Sequence, residues 1–232
     1  RAAGAKSYCE FISSYLRNKS PGKKIPLWYD EFNVSSTYTK GKDQMNGICG
    51  AVYDALTLSK APDYGADILC AWNEKDGIYG KMGASNELRP AAHVFHMFNS
   101  YVSGARVKTF SSADTEIVAV GSKDLLEGRY SLVLTNMCSA NKQVLLTSTD
   151  VQLDSNFTWY QLTAQGYAQK GTITLTELKA GMEIPAFSVN LFTGTGTKDQ
   201  VKSPKIVQPP TQVSAYELEY GIFRSEATGI GP

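Results

Sequence analysis

The hydrophobic pattern of this chain changes period near Gly104, and that change limits the possible folds more than any other feature. Before it, apolar residues recur at helical spacing in three stretches separated by two short apolar runs. Tyr8, Phe11, Ile12, Tyr15 and Leu16 form one helical stripe, which stops at NKSPGKK (18–24), a turn containing Pro21 and Gly22. KIPLWYDEFN then reads as a short buried strand running into a polar loop. DQMNGICGAVYDALTLSK places Met45, Ile48, Cys49, Val52, Leu56 and Ser59 on a second helical face, with Asp43 as its N-cap. ADILCAW (66–72) is a second strand. Pro90 opens a third helix with the stripe Val94, Phe95, Phe98, Tyr101 and Val102. Helix, strand, helix, strand, helix is the rhythm of parallel strands joined by crossover helices.

Beyond Gly104 the segments are short and β-rich: EIVAVGS (116–122), RYSLVLTN (129–136), KQVLLTST (142–149), FTWYQLTA (157–164), GTITLTEL (171–178) and FSVNLFTG (187–194). Turn-like clusters such as CSAN, LDSN and KAGM separate them, which predicts an antiparallel β-sandwich. After Gly194 the chain becomes polar and carries Pro, like a linker or extended arm. The expected fold class is therefore α/β followed by all-β, with divisions at 1–103, 104–194 and 195–232. Two strand–helix units cannot close an α/β barrel, which takes about 250 residues. Residues 1–103 are then a small open sheet or the last units of a (β/α)8 barrel, and a start inside a helix favours the second.

Charge narrows the function classes. Lys and Arg number 23 against 22 Asp and Glu, a formal net charge of +1. No concentrated basic character points to nucleic acid or an anionic membrane. No apolar run approaches the roughly 20 residues of a membrane-spanning helix. Three N-x-S/T sequons, at Asn18, Asn33 and Asn156, are candidate glycan acceptors in a secreted, extracellular or lumenal protein. Cys9, Cys49, Cys70 and Cys138 show no C-x-x-C spacing, which argues against zinc or redox motifs. Cys9, Cys49 and Cys70 lie among apolar neighbours and read as small core residues.

The string most suggestive of chemistry is PLWYDEFNVSS (26–36), where an apolar strand ends in Asp30 and Glu31. On a parallel α/β scaffold the C-terminal strand ends face the active site. Strand alternation puts Tyr29 and Glu31 on one face and Asp30 on the other, with Trp28 turned toward the surrounding helices. A Glu held there by a rigid strand suits a nucleophile or a general acid/base.

These residues resemble the end of the catalytic domain of clan A retaining glycoside hydrolases, especially α-L-arabinofuranosidases and β-xylosidase-like members. In that clan the nucleophile is a Glu ending the seventh barrel strand, in motifs such as D-E-W-N or T-E-F-N. DEFN at 30–33 matches, and the resemblance assigns the nucleophile role to Glu31. ADILCAWNEKDG looks like the eighth strand, which in the clan often ends in a Trp lining the sugar site, here Trp72. The helix after Pro90 then leads into an accessory β-sandwich. The resemblance implies a carbohydrate substrate, Tyr29, Asn33 and Trp72 as substrate contacts, and no cofactor or metal. The clan's acid/base, a Glu of an Asn-Glu pair, precedes the nucleophile in sequence. Asn73-Glu74 follows it and does not fit that role. The second carboxyl must then come from an N-terminal part of the same protein or from a partner chain, without which this chain alone should be inactive.

Other candidates are structural. His93 and His96 are spaced i, i+3 with no third ligand nearby, which suits a surface or capping role rather than a metal site. Trp159 and Tyr160 fit a half-buried strand. A second reading is a non-catalytic extracellular structural or glycan-associated protein with a hydrolase-derived fold, its residues 195–232 reaching a neighbouring subunit.

Overall fold

A computed structural model describes residues 2–34, 44–147, 153–196, 205–208 and 226–228. Asp43, expected as a helix cap, lies outside the described residues. The chain forms two compact units, Arg1–Thr197 and Lys198–Pro232. The first is mixed α/β with a mostly antiparallel main sheet.

It opens with helix α1 (Ala2–Lys19), strand β1 (Trp28–Phe32) and helix α2 (Ile48–Lys60). A 3-10 turn (Ala61–Tyr64), strand β2 (Ile68–Ala71) and helix α3 (Pro90–Tyr101) follow. β1 and β2 pair in parallel, with α2 as the crossover between them. Leu27 and Leu69 pack with Cys9, Ala61, Ala66 and Tyr64, so this pair of strands has a helix-facing side.

α2 carries buried small residues on several sides along its length, including Gly50, Ala51, Ala55 and Ser59. α2 meets α1, α3 and the main sheet, and the small residues allow each neighbour to approach. The single apolar stripe expected for this helix is replaced by burial around most of its circumference. Cys49 falls on the remaining exposed side, and Cys70 on the open side of β2. Of the three cysteines expected in the core, Cys9 alone is there.

The main sheet contains β3 (Ala105–Val107), β4 (Ile117–Asp124), β5 (Arg129–Asn136), β7 (Leu153–Thr163), β8 (Gly166–Thr174) and β10 (Ser188–Gly196). Its antiparallel order is β3-β4-β5-β10-β7-β8. One face carries Val133, Leu162, Val189 and Leu191, which pack with Ala51, Val52 and Ala55 of α2 and Val94 and Met97 of α3. The other carries Ile117, Leu134, Phe157, Ile173 and Phe192. That face is covered by helix α4 (Leu175–Ala180) and the antiparallel pair β6 (Lys142–Val144) with β9 (Met182–Ile184), through Leu178 and Ile184. The strand expected over 171–178 ends at Thr174. There Thr174 and Glu177 form a reciprocal capping box that starts α4.

In the second unit, β11 (Lys205–Gln208) pairs antiparallel with β12 (Glu226–Thr228). The other residues of the arm expected over 195–232, apart from Thr195 and Gly196 at the end of β10, lie outside the described residues.

Candidate functional site

The site expected at the end of β1 is shaped by a bulge. Tyr29 pairs with Leu69 and Phe32 with Ala71, so Asp30 and Glu31 together stand opposite Cys70. The extra residue changes the parity of the strand. Tyr29 and Phe32, which alternation would separate, stack on the same side at 5.9 Å, and Phe32 continues onto Phe95 of α3 at 6.4 Å. That is the helix side. Asp30 follows Tyr29 and Glu31 precedes Phe32, so both carboxylates leave toward the open side, where both residues are exposed.

Tyr29 therefore parts from Glu31, contrary to the alternation expected. Trp28, expected against the helices, takes its place on the open face. It is 62% exposed, opposite Ile68 at 37%, and Trp72 beyond the end of β2 is 49% exposed. Asp30, Glu31 and Trp72 thus share the open side at the C-terminal ends of two parallel strands, with Trp28 on the same side at the start of β1. An aromatic plane can stack on the C–H face of a sugar ring while carboxylates bind its hydroxyls.

Asn33 is bound differently from a free sugar ligand. Its Nδ2 donates to the Trp72 carbonyl and, at 3.1 Å, to the Tyr79 carbonyl, and its Oδ1 accepts from Val34 N at 2.8 Å. Asn18, near the end of α1, and Asn156, in β7, are exposed.

The loop from Trp72 to Arg89 is organised by two charged side chains that the sequence reading passed over. Asp76 Oδ1 accepts from the backbone N–H of Ile78 (2.6 Å), Tyr79 and Gly80 (2.9 Å). Burial alone would raise its pKa, but these donors and Asn73 prevail and hold it below the usual carboxylate range. Gly80 is required by crowding: a Cβ there would overlap Asp76 N and the Met82 carbonyl. Buried Arg89 collects carbonyls instead, donating to Ile78 O (3.0 Å), Gly80 O (2.5 Å) and Asp76 O (3.1 Å). The Trp72–Asn73 peptide at the loop's start is cis. The turn dipeptide Asp76-Gly77 was the available sequence signal for this loop.

Behind Phe32 the loop sends Lys81 inward. Its Nζ lies 2.6 Å from Asp54 Oδ2 of α2 and within 6 Å of the Phe32 and Phe95 ring centres. Asp54 is fully buried, and burial pushes its pKa up to about 6 against the pull of the Lys81 ammonium. No periodicity marks such a pair in a sequence.

The two histidines of α3 lie away from this face. His93 stacks on Tyr167 of β8 at 4.9 Å, and His96 meets Tyr167 and Tyr101 edge-on. The Tyr101 and Tyr160 hydroxyls are hydrogen-bonded to one another at 3.1 Å. That bond, with burial, holds the Tyr160 hydroxyl protonated up to about 12. Burial first, then the neighbouring His96, lowers the pKa of His93. His93 consequently binds a proton more weakly folded than unfolded. Its contribution to stability is present above the unfolded value of 6.5 and is lost as pH falls through the lower folded value. His93→Phe keeps the stacked ring and removes the titration. Chemical denaturation between pH 5 and 7 should show a shallower acid loss of stability in this variant, whereas an unchanged slope would place the acid sensitivity elsewhere.

Among the described residues no group of three or more His, Cys, Asp or Glu gathers as a metal site, and no helix is long and apolar enough to cross a membrane.

This architecture recurs in solved structures. CelM2, a bifunctional glucanase-xylanase from a metagenome library, superposes with a TM-score of 0.66 at 16% identity, covering 82% of this chain and 34% of that one. The chain has a glycoside-hydrolase-like fold. A monomeric β-xylosidase from Caulobacter crescentus CB15 gives a TM-score of 0.60 at 12% identity, covering 84% and 50%. A conserved exported protein from Bacteroides fragilis gives 0.60 at 13% identity, covering 83% and 43%. The chain thus spans between a third and a half of the length of these proteins. No protein-family model and no curated protein matches it.

Proposed function

We propose that this glycoside-hydrolase-like chain is the C-terminal portion of a secreted retaining glycosidase, acting on polysaccharide or glycoconjugate with Glu31 as its nucleophile. The observation that carries the reading is the bulge in β1. It brings Glu31 to the same open side as Trp28 and Trp72 in a fold shared with a glucanase-xylanase and a β-xylosidase. Trp72, beyond the end of β2, is the sugar platform in this reading. Tyr29 contributes through Phe32 from behind the strand, and Asn33 from the strand end.

Glu31 attacks the anomeric carbon to form a glycosyl-enzyme. A second carboxyl about 5–5.5 Å away protonates the leaving oxygen and then activates water. That carboxyl and the strands facing Trp28 and Ile68 are assigned to an N-terminal part of the same protein or to a partner chain. The exposed apolar residues of this region, among them Trp28, Ile68 and Ile25, are the surface such strands would cover. The B. fragilis neighbour, an exported protein, supports the extracellular setting, and Asn18 and Asn156 are the accessible glycan candidates. The division into barrel part (1–103), β-sandwich (104–194) and arm (195–232) belongs to the same proposal, with the arm available to a neighbouring subunit.

The test is covalent labelling. A protein carrying both the complete barrel and this chain is treated with activated 2-deoxy-2-fluoro glycosides of xylose, arabinofuranose and glucose, then digested for peptide mass analysis. The label is expected on Glu31, with none taken up by Glu31→Gln. Oligosaccharide binding with Glu31 unlabelled by every probe would favour the non-catalytic glycan-associated reading.

A further inference from the structure

We propose that Asn33 is a positioning residue: its amide fixes Trp72 beside the Glu31 end of β1, and neither a sugar nor a glycan occupies it. The inference deepens the glycosidase reading and rests on it only for the purpose of the clamp, not for its existence.

The geometry is a matter of donors and acceptors. A carboxamide nitrogen has two N–H groups. In Asn33 one goes to the carbonyl of Trp72 and the other to that of Tyr79, 3.1 Å away. Its oxygen accepts from Val34 N. Three segments meet on one short side chain: the end of β1, the end of β2 and the middle of the following loop. The parallel ladder reaches this point with Trp72 N donating to Phe32 O at 2.9 Å. Beyond it, the bonds of Asp76 and Arg89 described above join residues within 76–89 to one another. Tyr79 is therefore held on its N–H by Asp76 and on its carbonyl by Asn33. Asn33 fastens this internally braced loop to the strand that carries Glu31.

The chemistry predicts an order of substitutions that a sugar-contacting residue would not show. Asp retains size and acceptor capacity but has no N–H, and it sets a carboxylate against two carbonyl oxygens. Ala removes the donors without adding repulsion. A sugar hydroxyl can donate to Asp as readily as to Asn, so a mere sugar contact would tolerate Asp better than Ala. The clamp demands the reverse.

The protein contains three tryptophans, Trp28, Trp72 and Trp159, so 5-fluorotryptophan labelling gives three assignable fluorine resonances with no background substitutions. Asn33→Ala is expected to shift the Trp72 resonance and to increase its fast motion. Asn33→Asp should do more, while Trp159, in β7 of the main sheet, stays in place as the internal control. If Asn33→Asp unfolds the protein, Asn33→Ser, which keeps one donor on a shorter arm, should give a shift smaller than Ala does. A Trp72 resonance unchanged in Asn33→Ala and Asn33→Ser overturns the clamp. So does a glycan found on Asn33 when the folded protein is made in a secretory host. Titrating the unsubstituted protein with xylohexaose tests the underlying reading separately. Movement of Trp72 supports a sugar site there, and its silence weakens that reading while leaving the Asn33 result intact.

Discussion

Lys81→Met is expected to destabilise the protein by about 3–5 kcal/mol, the usual cost of stripping one partner from a buried ion pair. Methionine keeps the length of the side chain and a polarizable sulfur against the Phe32 and Phe95 rings. What it removes is the ammonium 2.6 Å from a fully buried carboxylate. Asp54 Oδ1 has no hydrogen-bond partner among the described residues, so no other described group replaces Lys81. The double variant Asp54→Leu/Lys81→Met should recover most of the loss, since an apolar replacement of both partners is often neutral or better. Urea denaturation of the single and double variants measures both numbers. A single variant within about 1 kcal/mol of the parent, the range of an exposed pair, would mean that water reaches Asp54.

The same pair carries a pH signature of opposite sense to that of His93. Asp54 holds its proton more tightly folded, at about 6, than unfolded, at 3.8. Its contribution is fully present below the unfolded value and is lost as pH rises through about 6. Removing Lys81 removes the charge and the hydrogen bond that pull this value down, so the loss should extend to higher pH in Lys81→Met. His93 loses its contribution in the other direction, as pH falls below about 6.5. On the acid side of 6.5, down toward 3.8, the two slopes oppose one another.

The sequence carried the order of elements well wherever one physical signal dominated. Pro90 set the start of α3, and the alternation in RYSLVLTN gave β5 its observed limits, Arg129–Asn136. Periodicity failed where two surfaces competed for one element. α2 is covered on several sides, so its small residues Gly50, Ala51 and Ala55 mattered more than its large ones. In β1 a single inserted residue reversed the roles of Trp28 and Tyr29, and no pattern in WYDEF announces a bulge whose cause is pairing with β2. The helix inside GTITLTEL was legible but overlooked: Thr174 and Glu177 have the spacing of a capping box, a signal local to four residues. The Asp54–Lys81 pair lies at the other extreme, since its partners stand on separate elements and meet through tertiary packing alone.

Phe192→Ala should cost about 3–5 kcal/mol, the range for truncating a fully buried aromatic. Phe192 stands on β10 between Leu132 of β5 and Trp159 of β7, stacks on Trp159 at 5.8 Å, and is closed over by Leu178 and Ile184. Its value as a test lies in its neighbour. Leu191, one residue earlier, points through the opposite face of the sheet into the cluster formed with α2 and α3. A strand at the centre of the sheet thus belongs to both hydrophobic cores, and damage to one face should be felt on the other. Thermal unfolding followed at Trp72, in the α/β part, and at Trp159, in the sheet, is expected to show coincident midpoints. Both should fall by roughly 10 °C in the variant, given the few degrees per kcal/mol typical of a domain this size. If residues 1–103 and 104–194 were energetically separate, the Trp159 transition would drop while the Trp72 transition held. Coincidence would mean that the site at the end of β1 draws its stability from a hydrophobic layer on the far side of the sheet, because β10 contributes side chains to both.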